Sequence, residues 1–282
     1  MGAPLVSVIT PFLDAQHFLE EAIESVLSQR HSSWELLLVD DGSTDRSTEI
    51  AARAAERDSR VRYLEHPGHE NRGKNASRNL AIERSRGSYV TFLDADDVWF
   101  PDTLSRQVPV LERNRDAAML YGSADWWRSW RGDGPRAGDW CDGVGRKVAR
   151  PDSVYPPPQL VTLFLRDGGA VPCLHALTVR ADVLRATGGF DHLLDNLYED
   201  QILIAKICLE WPVFVTAAVL GRYRQHEGQS CAQADAATEA AARTTFLSWL
   251  AEHIEERRID DPELRAALDD AIAAMASAAS AQ

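Results

Sequence analysis

Three carboxylates fall within four residues at Asp94-Ala95-Asp96-Asp97, directly after the apolar run Tyr89–Leu93. In extended backbone, residues two apart share a side, so Asp94 and Asp96 can face one site. Carboxylates gathered this closely repel one another unless a divalent cation sits among them. Hard oxygen ligands suit Mg2+ or Mn2+, which complete their shells with substrate phosphates. The same residues would also serve as an acidic turn ahead of a helix, and the motif alone does not choose between the two.

A second acidic turn is Asp40-Asp41-Gly42-Ser43-Thr44-Asp45. Asp45 suits the N-cap of the helix that follows, which leaves Asp40 and Asp41 to accept hydrogen bonds from a base or a ribose. Lys74-Asn75-Ala76-Ser77-Arg78-Asn79 brings cations and amides to a helix start, where Arg78 can fork onto paired phosphate oxygens. Glu199-Asp200 opens an apolar helix. Acids there suit the helix dipole, and a carboxylate above a cleft can also take a proton from an attacking hydroxyl. Farther on, Arg222 to His226 could return cations or a histidine ligand to the same place.

One competing motif overlaps this set. Gly68 to Lys74 has the spacing of a phosphate-binding P-loop, but Asn75 stands where Ser or Thr must reach the metal, and the loop carries bulky side chains. A nucleotide hydrolase or phosphotransferase is therefore one alternative to an enzyme built on the two acidic turns, and a non-catalytic sugar- or nucleotide-binding protein another.

These residues need a frame. Val6–Thr10, Trp34–Asp40, Val61–Glu65 and Tyr89–Leu93 read as strands, separated by helices near Phe18–Leu27, up to Asp58, and at Asn75–Arg84. A helix to about Asn114 follows, with Pro101 in its first turn. The alternation predicts an α/β fold with a doubly wound, mostly parallel, Rossmann-like sheet flanked by helices. Such sheets bind ligands beyond the carboxyl ends of their strands, which here are Thr10-Pro11, Asp40-Asp41 and Asp94 to Asp97.

The stretch Gly122 to Pro158, with Trp126, Trp127, Trp130 and Trp140, predicts an inserted loop or lid. Trp126 and Trp130 are four apart and could share a helical face. This segment, with Trp126, Trp140 and Glu199, is the expected acceptor region. Order returns with His175–Arg180, the Gly188-Gly189 turn, a helix from Glu199 to Trp211 and a strand Val213–Val219. After Asp235, two Ala-rich helices split near Pro262. Residues 1–232 are expected to form one catalytic domain, with a nucleotide-binding half to about 118 and an acceptor half from 119. Residues 233–282 would be a helical extension through which two copies could pair.

At 282 residues, 45% hydrophobic and 26% charged, the chain has the composition of a globular protein with a sizeable core. Its net charge of −13 excludes nucleic acid as a general partner, because such binding needs clustered cations. The cysteines Cys141, Cys173, Cys208 and Cys231 form no C-x-x-C pair and so no zinc pattern. A strand begins almost at Met1, and the apolar stretch Val213–Leu220 is too short to span a bilayer. The expected location is cytoplasmic, with no transmembrane segment.

Taken together, the motifs resemble the family 2 glycosyltransferases, the inverting group with the GT-A fold. Ser7 to Pro11 is similar to the family's opening strand, Asp40 to Asp45 to its nucleotide-binding turn, and Asn75 to Asn79 to its N-x-x-R-N helix. Leu93 to Asp97 is similar to the D-x-D metal motif, and Gly188-Gly189-Phe190-Asp191 with Glu199-Asp200 to the G-G-F-D and E-D elements. The resemblance implies single-sugar transfer with inversion from a nucleotide-sugar donor, UDP-sugar foremost, to a glycan, lipid-linked or small-molecule hydroxyl. It implies Asp200 as catalytic base. Thr10, Pro11, Asp40, Asp41, Arg78, Asn79, Asp94, Ala95 and Asp96 would contact the donor, and Asp96, Asp97 and His226 would hold Mn2+ or Mg2+. The Q-x-x-R-W motif of processive synthases is absent from the sequence.

Overall fold

The computed structural model describes residues 2–131, 139–143, 150–166, 171–194, 197–229 and 234–280. Four strands open the chain: β1 (Val6–Phe12), β2 (Trp34–Asp40), β3 (Val61–Glu65) and β4 (Tyr89–Phe92). They lie parallel in the order β3-β2-β1-β4, joined by helices α1 (Leu19–Leu27), α2 (Ser47–Arg57) and α3 (Lys74–Arg84). β2 is buried at every position because both faces are covered, which is why WELLLVD reads as a continuous apolar run. Leu36 and Leu38 point into the core cluster shared with α1 and α2. Leu37 and Val39 point into the other, shared with α3. Period-two alternation is thus present but hidden by two-sided burial.

β1 continues through Pro11 to Phe12, two residues past its expected end. β4 no longer pairs with β1 beyond Ile9, so Pro11 occupies an edge position where its missing N–H is tolerated. After the short β5 (Val98–Trp99), α4 (Thr103–Arg113) begins two residues beyond Pro101, whose carbonyl instead accepts the Arg30 N–H.

The second half of the sheet is mixed. β6 (Met119–Trp127) and β10 (Val213–Arg224) run parallel, and β9 (Leu177–Arg180) runs antiparallel between β4 and β6. β7 (Trp140–Cys141) adds to β6, and β8 (Ser153–Tyr155) to β10. β10 extends five residues past its expected end through two register irregularities, and so carries Arg222 to Arg224 to the carboxyl edge. Trp126 and Trp127 lie on β6, and Trp130 lies in the short helical turn Ser129–Arg131, so no shared helical face joins Trp126 to Trp130. Parts of the expected lid, residues 132–138 and 144–149, lie outside the described residues, as does Cys231. Cys141, Cys173 and Cys208 are free thiols.

Helices α5 (Gln159–Arg166), α6 (Ala181–Ala186) and α7 (Glu199–Glu210) cover the face opposite α1. α7 is apolar on nearly all sides and is correspondingly buried. α8 (Ala236–Glu256), capped by Asp235 through the Thr238 N–H at 2.7 Å, and α9 (Pro262–Ser280) follow. Phe246, Leu250, Leu264 and Leu268 from this pair join the α7 core cluster, so their apolar stripes pack on the same chain. Among the described residues no helix is long and apolar enough to cross a membrane.

Candidate active site

β1, β2 and β4 end at one edge, which sets the two acidic turns side by side. Asp40, expected to reach a base or ribose, is fully buried. One oxygen accepts the Ser43 N–H at 2.8 Å, and the other accepts the hydroxyls of Thr48 at 2.5 Å and Tyr63 at 3.3 Å. Three hydrogen bonds, from the turn, from α2 and from β3, thus engage its two oxygens. Asp41 turns the other way, accepting the Arg72 N–H at 2.8 Å and the Ser77 hydroxyl at 3.1 Å. Gly42, at φ +85°, lets this turn touch the next loop, since a Cβ there would stand 2.8 Å from the Asn71 nitrogen. Asp45 caps one residue earlier than a formal N-cap, accepting the Ser47 N–H at 2.8 Å. Thr10 Oγ1 is buried without a partner, and Pro11 lies within the ladder.

The Asp94 turn is held from two sides. On one, Arg78 is buried with a guanidinium nitrogen 2.8 Å from Asp94 and another 3.3 Å from Glu199. Lys74 Nζ lies 2.5 Å from the same Glu199 oxygen. Lys74, Glu199, Arg78 and Asp94 thus form a chain of alternating charge joining α3, α7 and the end of β4. Burial works against the Asp94 charge, but Arg78 and Lys74 outweigh it and hold its carboxyl below the usual carboxylate range. Arg78 therefore faces two carboxylates rather than open space. Glu199, expected near an acceptor, is almost fully buried between two cations.

On the other side, Asp97 is turned inward. One oxygen lies 2.8 Å from His175 Nδ1 and the other accepts the Arg224 N–H at 2.9 Å. Burial pushes Asp97 up to about 7 against the pull of His175. Burial would lower His175, but Asp97 more than reverses it. The side chain expected as a metal ligand is instead 1% exposed and anchors the turn from within. Arg224 completes the anchor: Nε donates to the Asp96 carbonyl at 2.6 Å and a terminal nitrogen lies 2.5 Å from Glu21. Its guanidinium is walled by Phe18, Trp127 and Trp130. His175 and Glu21 were not anticipated from sequence, because a lone histidine before a strand and an acid on a surface helix carry no signal of their own.

Asp96 reaches His226, whose Nε2 is 3.0 Å away. The Gly228 N–H donates to His226 Nδ1 at 3.2 Å, which leaves the proton on Nε2 and makes His226 a donor to Asp96. A metal at that nitrogen would have to displace this proton. Ala95 is buried between the two acids. Asp94 and Asp96 keep 36% and 26% of their side chains exposed. Among the described residues no group of three or more His, Cys, Asp or Glu could hold a metal ion. Two hard, accessible carboxylates nonetheless fit Mg2+ or Mn2+ arriving with phosphates, since such ions need only one or two protein carboxylates.

Asp200 follows Glu199 on the first turn of α7. Tyr198 before it is in the left-handed region at φ 63°, a costly conformation for a non-glycine residue, worth on the order of 1 kcal/mol or more. Burial, then the neighbouring Glu199, push Asp200 up to about 6, with Lys74 and Arg78 opposing. Below Asp200 the α3 asparagines hold the preceding loop. Asn79, expected to contact donor, has both ends of its amide bonded to the Phe190 backbone at 2.9 Å. Asn75 donates to the carbonyls of Asp191 and Leu194. Gly189, at φ +75°, is required here, for a Cβ would stand 2.5 Å from Asn79 Oδ1. On the β6 side, Trp126 stacks on Trp140 with ring centroids 4.8 Å apart and meets Tyr223 edge-on at 5.1 Å.

Residues 7–138 match the sequence pattern of the family described as Glycosyl transferase family 2. The Bacillus subtilis protein TuaG, provisionally named a teichuronic acid biosynthesis glycosyltransferase, is 45% identical over 121 residues, covering 42% of this chain and 46% of TuaG. The matched segment thus spans less than half of that relative. Among solved structures, residues 1–349 of Staphylococcus aureus TarS in complex with UDP-GlcNAc superpose with a TM-score of 0.64 at 16% identity, covering 96% of this chain and 80% of that one. The Pyrobaculum calidifontis mannosyltransferase PcManGT in complex with GDP-Man and Mn2+ gives 0.58 at 20%, covering 99% and 76%. At these identities the likeness establishes the fold, which is of the GT-A type.

Proposed function

From the match of residues 7–138 to glycosyl transferase family 2, we propose that this chain is a member that moves one sugar from a nucleoside diphosphate sugar to an acceptor hydroxyl with inversion. The observation that carries this reading is the position of Asp200. It is a partly buried carboxyl pushed up to about 6, next to a charge chain that ends at Asp94 of the acidic turn. A group poised near neutral pH is suited to general base work.

Asp200 accepts the proton of the acceptor hydroxyl as its oxygen bonds to the anomeric carbon. The bond from that carbon to the diphosphate oxygen breaks on the opposite face, so configuration inverts and no covalent enzyme intermediate forms. Asp96, with Asp94, would hold a divalent cation whose chemistry is to neutralise charge developing on the leaving diphosphate. Arg78 and Lys74 keep Glu199 and Asp94 in place while that charge builds. Asp41, the residue after β2, and Thr10, two residues before the end of β1, would meet a base or ribose bound at this edge. A UDP-sugar is the first donor to try, and polysaccharide or glycoconjugate synthesis the first setting, as the names of TuaG and of the TarS complex suggest for those proteins.

The test is a donor screen. UDP-, dTDP- and GDP-sugars are incubated with Mn2+ or Mg2+, and released nucleoside diphosphate is followed for the native chain and Asp96→Ala. Metal-dependent release from one donor, lost in the variant, is expected. Hydrolysis of ATP or GTP with no nucleotide-sugar turnover would sink the proposal.

A further inference from the structure

The C-terminal helices take no part in the steps above, yet one of them runs along the helix that carries Asp200. Tyr198, directly before α7, meets Phe246 of α8 with ring centroids 5.7 Å apart. At the other end, Glu210 of α7 lies 3.1 Å from Arg257, the residue after α8. The two contacts are spaced alike along both helices, so α7 and α8 run side by side in the same direction. α8 has 21 residues against 12 in α7, so its first half extends past the start of α7. The overhang before Phe246 is on the order of 15 Å at 1.5 Å per residue. Burial follows this layout: Ala236 to Ala241 are exposed, and Phe246 is the first buried residue of α8.

Phe246 is itself braced. Trp249 stacks on it with centroids 6.1 Å apart, and His253 stacks on Trp249 at 4.9 Å. Positions three and four apart share a helix face, so the three rings form a ladder along α8 that ends at Tyr198. Leu247, Leu250 and Ile254 fix α8 in the core cluster that also holds Ile202 and Leu203 of α7. The Tyr198 ring therefore packs on a rigid support.

Tyr198 needs such a support. Its backbone lies in the left-handed region at φ 63° and ψ 2°, which a non-glycine residue keeps only where its surroundings over-determine it. Its carbonyl accepts the Ile202 N–H at 3.1 Å, which ties it to the first turn of α7. Among the described residues its hydroxyl makes no hydrogen bond, so ring packing is what fixes the side chain. Burial holds that hydroxyl above its usual range. Arg243 opposes the rise while Glu239 and Asp200 add to it, which sets the ring between the overhang of α8 and Asp200. The backbone angles of Tyr198 fix the direction in which α7 departs, and with it the direction of Asp200 two residues on. We infer that Tyr198, seated on Phe246, is a positioning residue that aims Asp200 at the reacting hydroxyl, an inference that rests on the glycosyl-transfer reading.

The test is steady-state release of nucleoside diphosphate from the UDP-, dTDP- and GDP-sugars of the donor screen, with Mn2+, on the full chain. Phe246→Ala and Tyr198→Ala are each expected to lower kcat about tenfold or more, since misplacement by an ångström can cost that much. Donor KM, and nucleoside diphosphate affinity read by calorimetry, should stay within about twofold of native. Phe246→Tyr keeps the ring and should restore kcat. The double variant should be no slower than the slower single one, because both remove the same contact. Tyr198 is only half-buried, so Tyr198→Ala decides the matter if Phe246→Ala fails to fold. Native kcat in Tyr198→Ala overturns the inference, as does a fall in kcat matched by a fall in nucleotide affinity. Effects that multiply in the double variant also overturn it. The native chain separates the two ideas. If it releases nucleoside diphosphate and the variants keep its kcat, only the positioning role falls. If it turns over no nucleotide sugar, the transfer reading falls and this inference with it.

Discussion

The acidic turn and the Asp200 corner lie at the same edge of one sheet but treat charge in opposite ways. Around Asp94 to Asp97, each carboxyl has a named partner: Arg78, His226, and the His175 and Arg224 pair. Among the described residues Asp200 accepts only the N–H of its neighbour Gln201 and sits next to another acid, so burial and that acid raise it although Lys74 and Arg78, paired with Glu199, oppose them. Full pairing fixes geometry, whereas partial pairing leaves a group able to change its protonation state. On the proposed function, the turn is the scaffold for a diphosphate and the corner the base.

The contrast is broken most severely by removing the base. Asp200→Asn should lower transfer by about 10²- to 10⁴-fold, the usual worth of a positioned general base. Nucleotide binding, read by calorimetry, should stay near the native value. Loss of nucleotide affinity in step with turnover would mean that Asp200 belongs to the donor site.

Next in size is the scaffold. Asp97→Ala strips His175 of its partner and frees the Arg224 N–H, and breaking such a buried pair costs about 3–5 kcal/mol. Denaturant unfolding should show that loss. A variant within about 1 kcal/mol of native would mean that Asp97 does not anchor the turn.

The same variant at the base should behave in the opposite sense. A carboxyl raised in the fold stabilises it below its unfolded value and loses that contribution as pH rises through the folded one. Asp200→Asn should therefore unfold at higher temperature than the native chain above about pH 6. The gain should be about 1–2 kcal/mol, once partial exposure is allowed for. It should vanish below about pH 4. A stability loss at pH 8 would contradict the picture of an unpaired, costly carboxylate.

How far the sequence revealed each region follows from the same difference. The parallel half is written in local patterns: continuous apolar strands, a helix between each pair, and acidic turns at their ends. Its strand bounds at β2 and β3 coincide with those read from periodicity. The pairing of Asp97 with His175 across 78 positions, or of Arg224 with Glu21 across 203, leaves no such trace. Asp40 illustrates the limit well. Its place at a strand end is legible, but the Thr48 and Tyr63 hydroxyls that occupy it come from a helix and a neighbouring strand. The tryptophans misled for a related reason, since spacing of four suggests a helix where a strand and a short turn supply the same residues.

The smallest effect is the sharpest test of the comparison, because it changes one neighbour and not the base itself. Glu199 raises Asp200 by like charge while occupying Lys74 and Arg78, which already lower it and would act on it alone once Glu199 is neutral. Glu199→Gln removes the repulsion and releases both cations in one step, so every consequence has the same sign. The ascending limb of kcat/KM for the proposed transfer, expected near pH 6 in the native chain, should move to lower pH. The rate on the high-pH plateau should fall modestly, since a less basic carboxylate is a weaker proton acceptor. Glu199→Ala should move the limb the same way but also lower stability, because the cations lose a hydrogen-bonding partner that Gln retains. A limb that stays in place in Glu199→Gln, with turnover reduced, would assign Glu199 to holding Arg78 and Asp94 alone, and the raised value of Asp200 to burial.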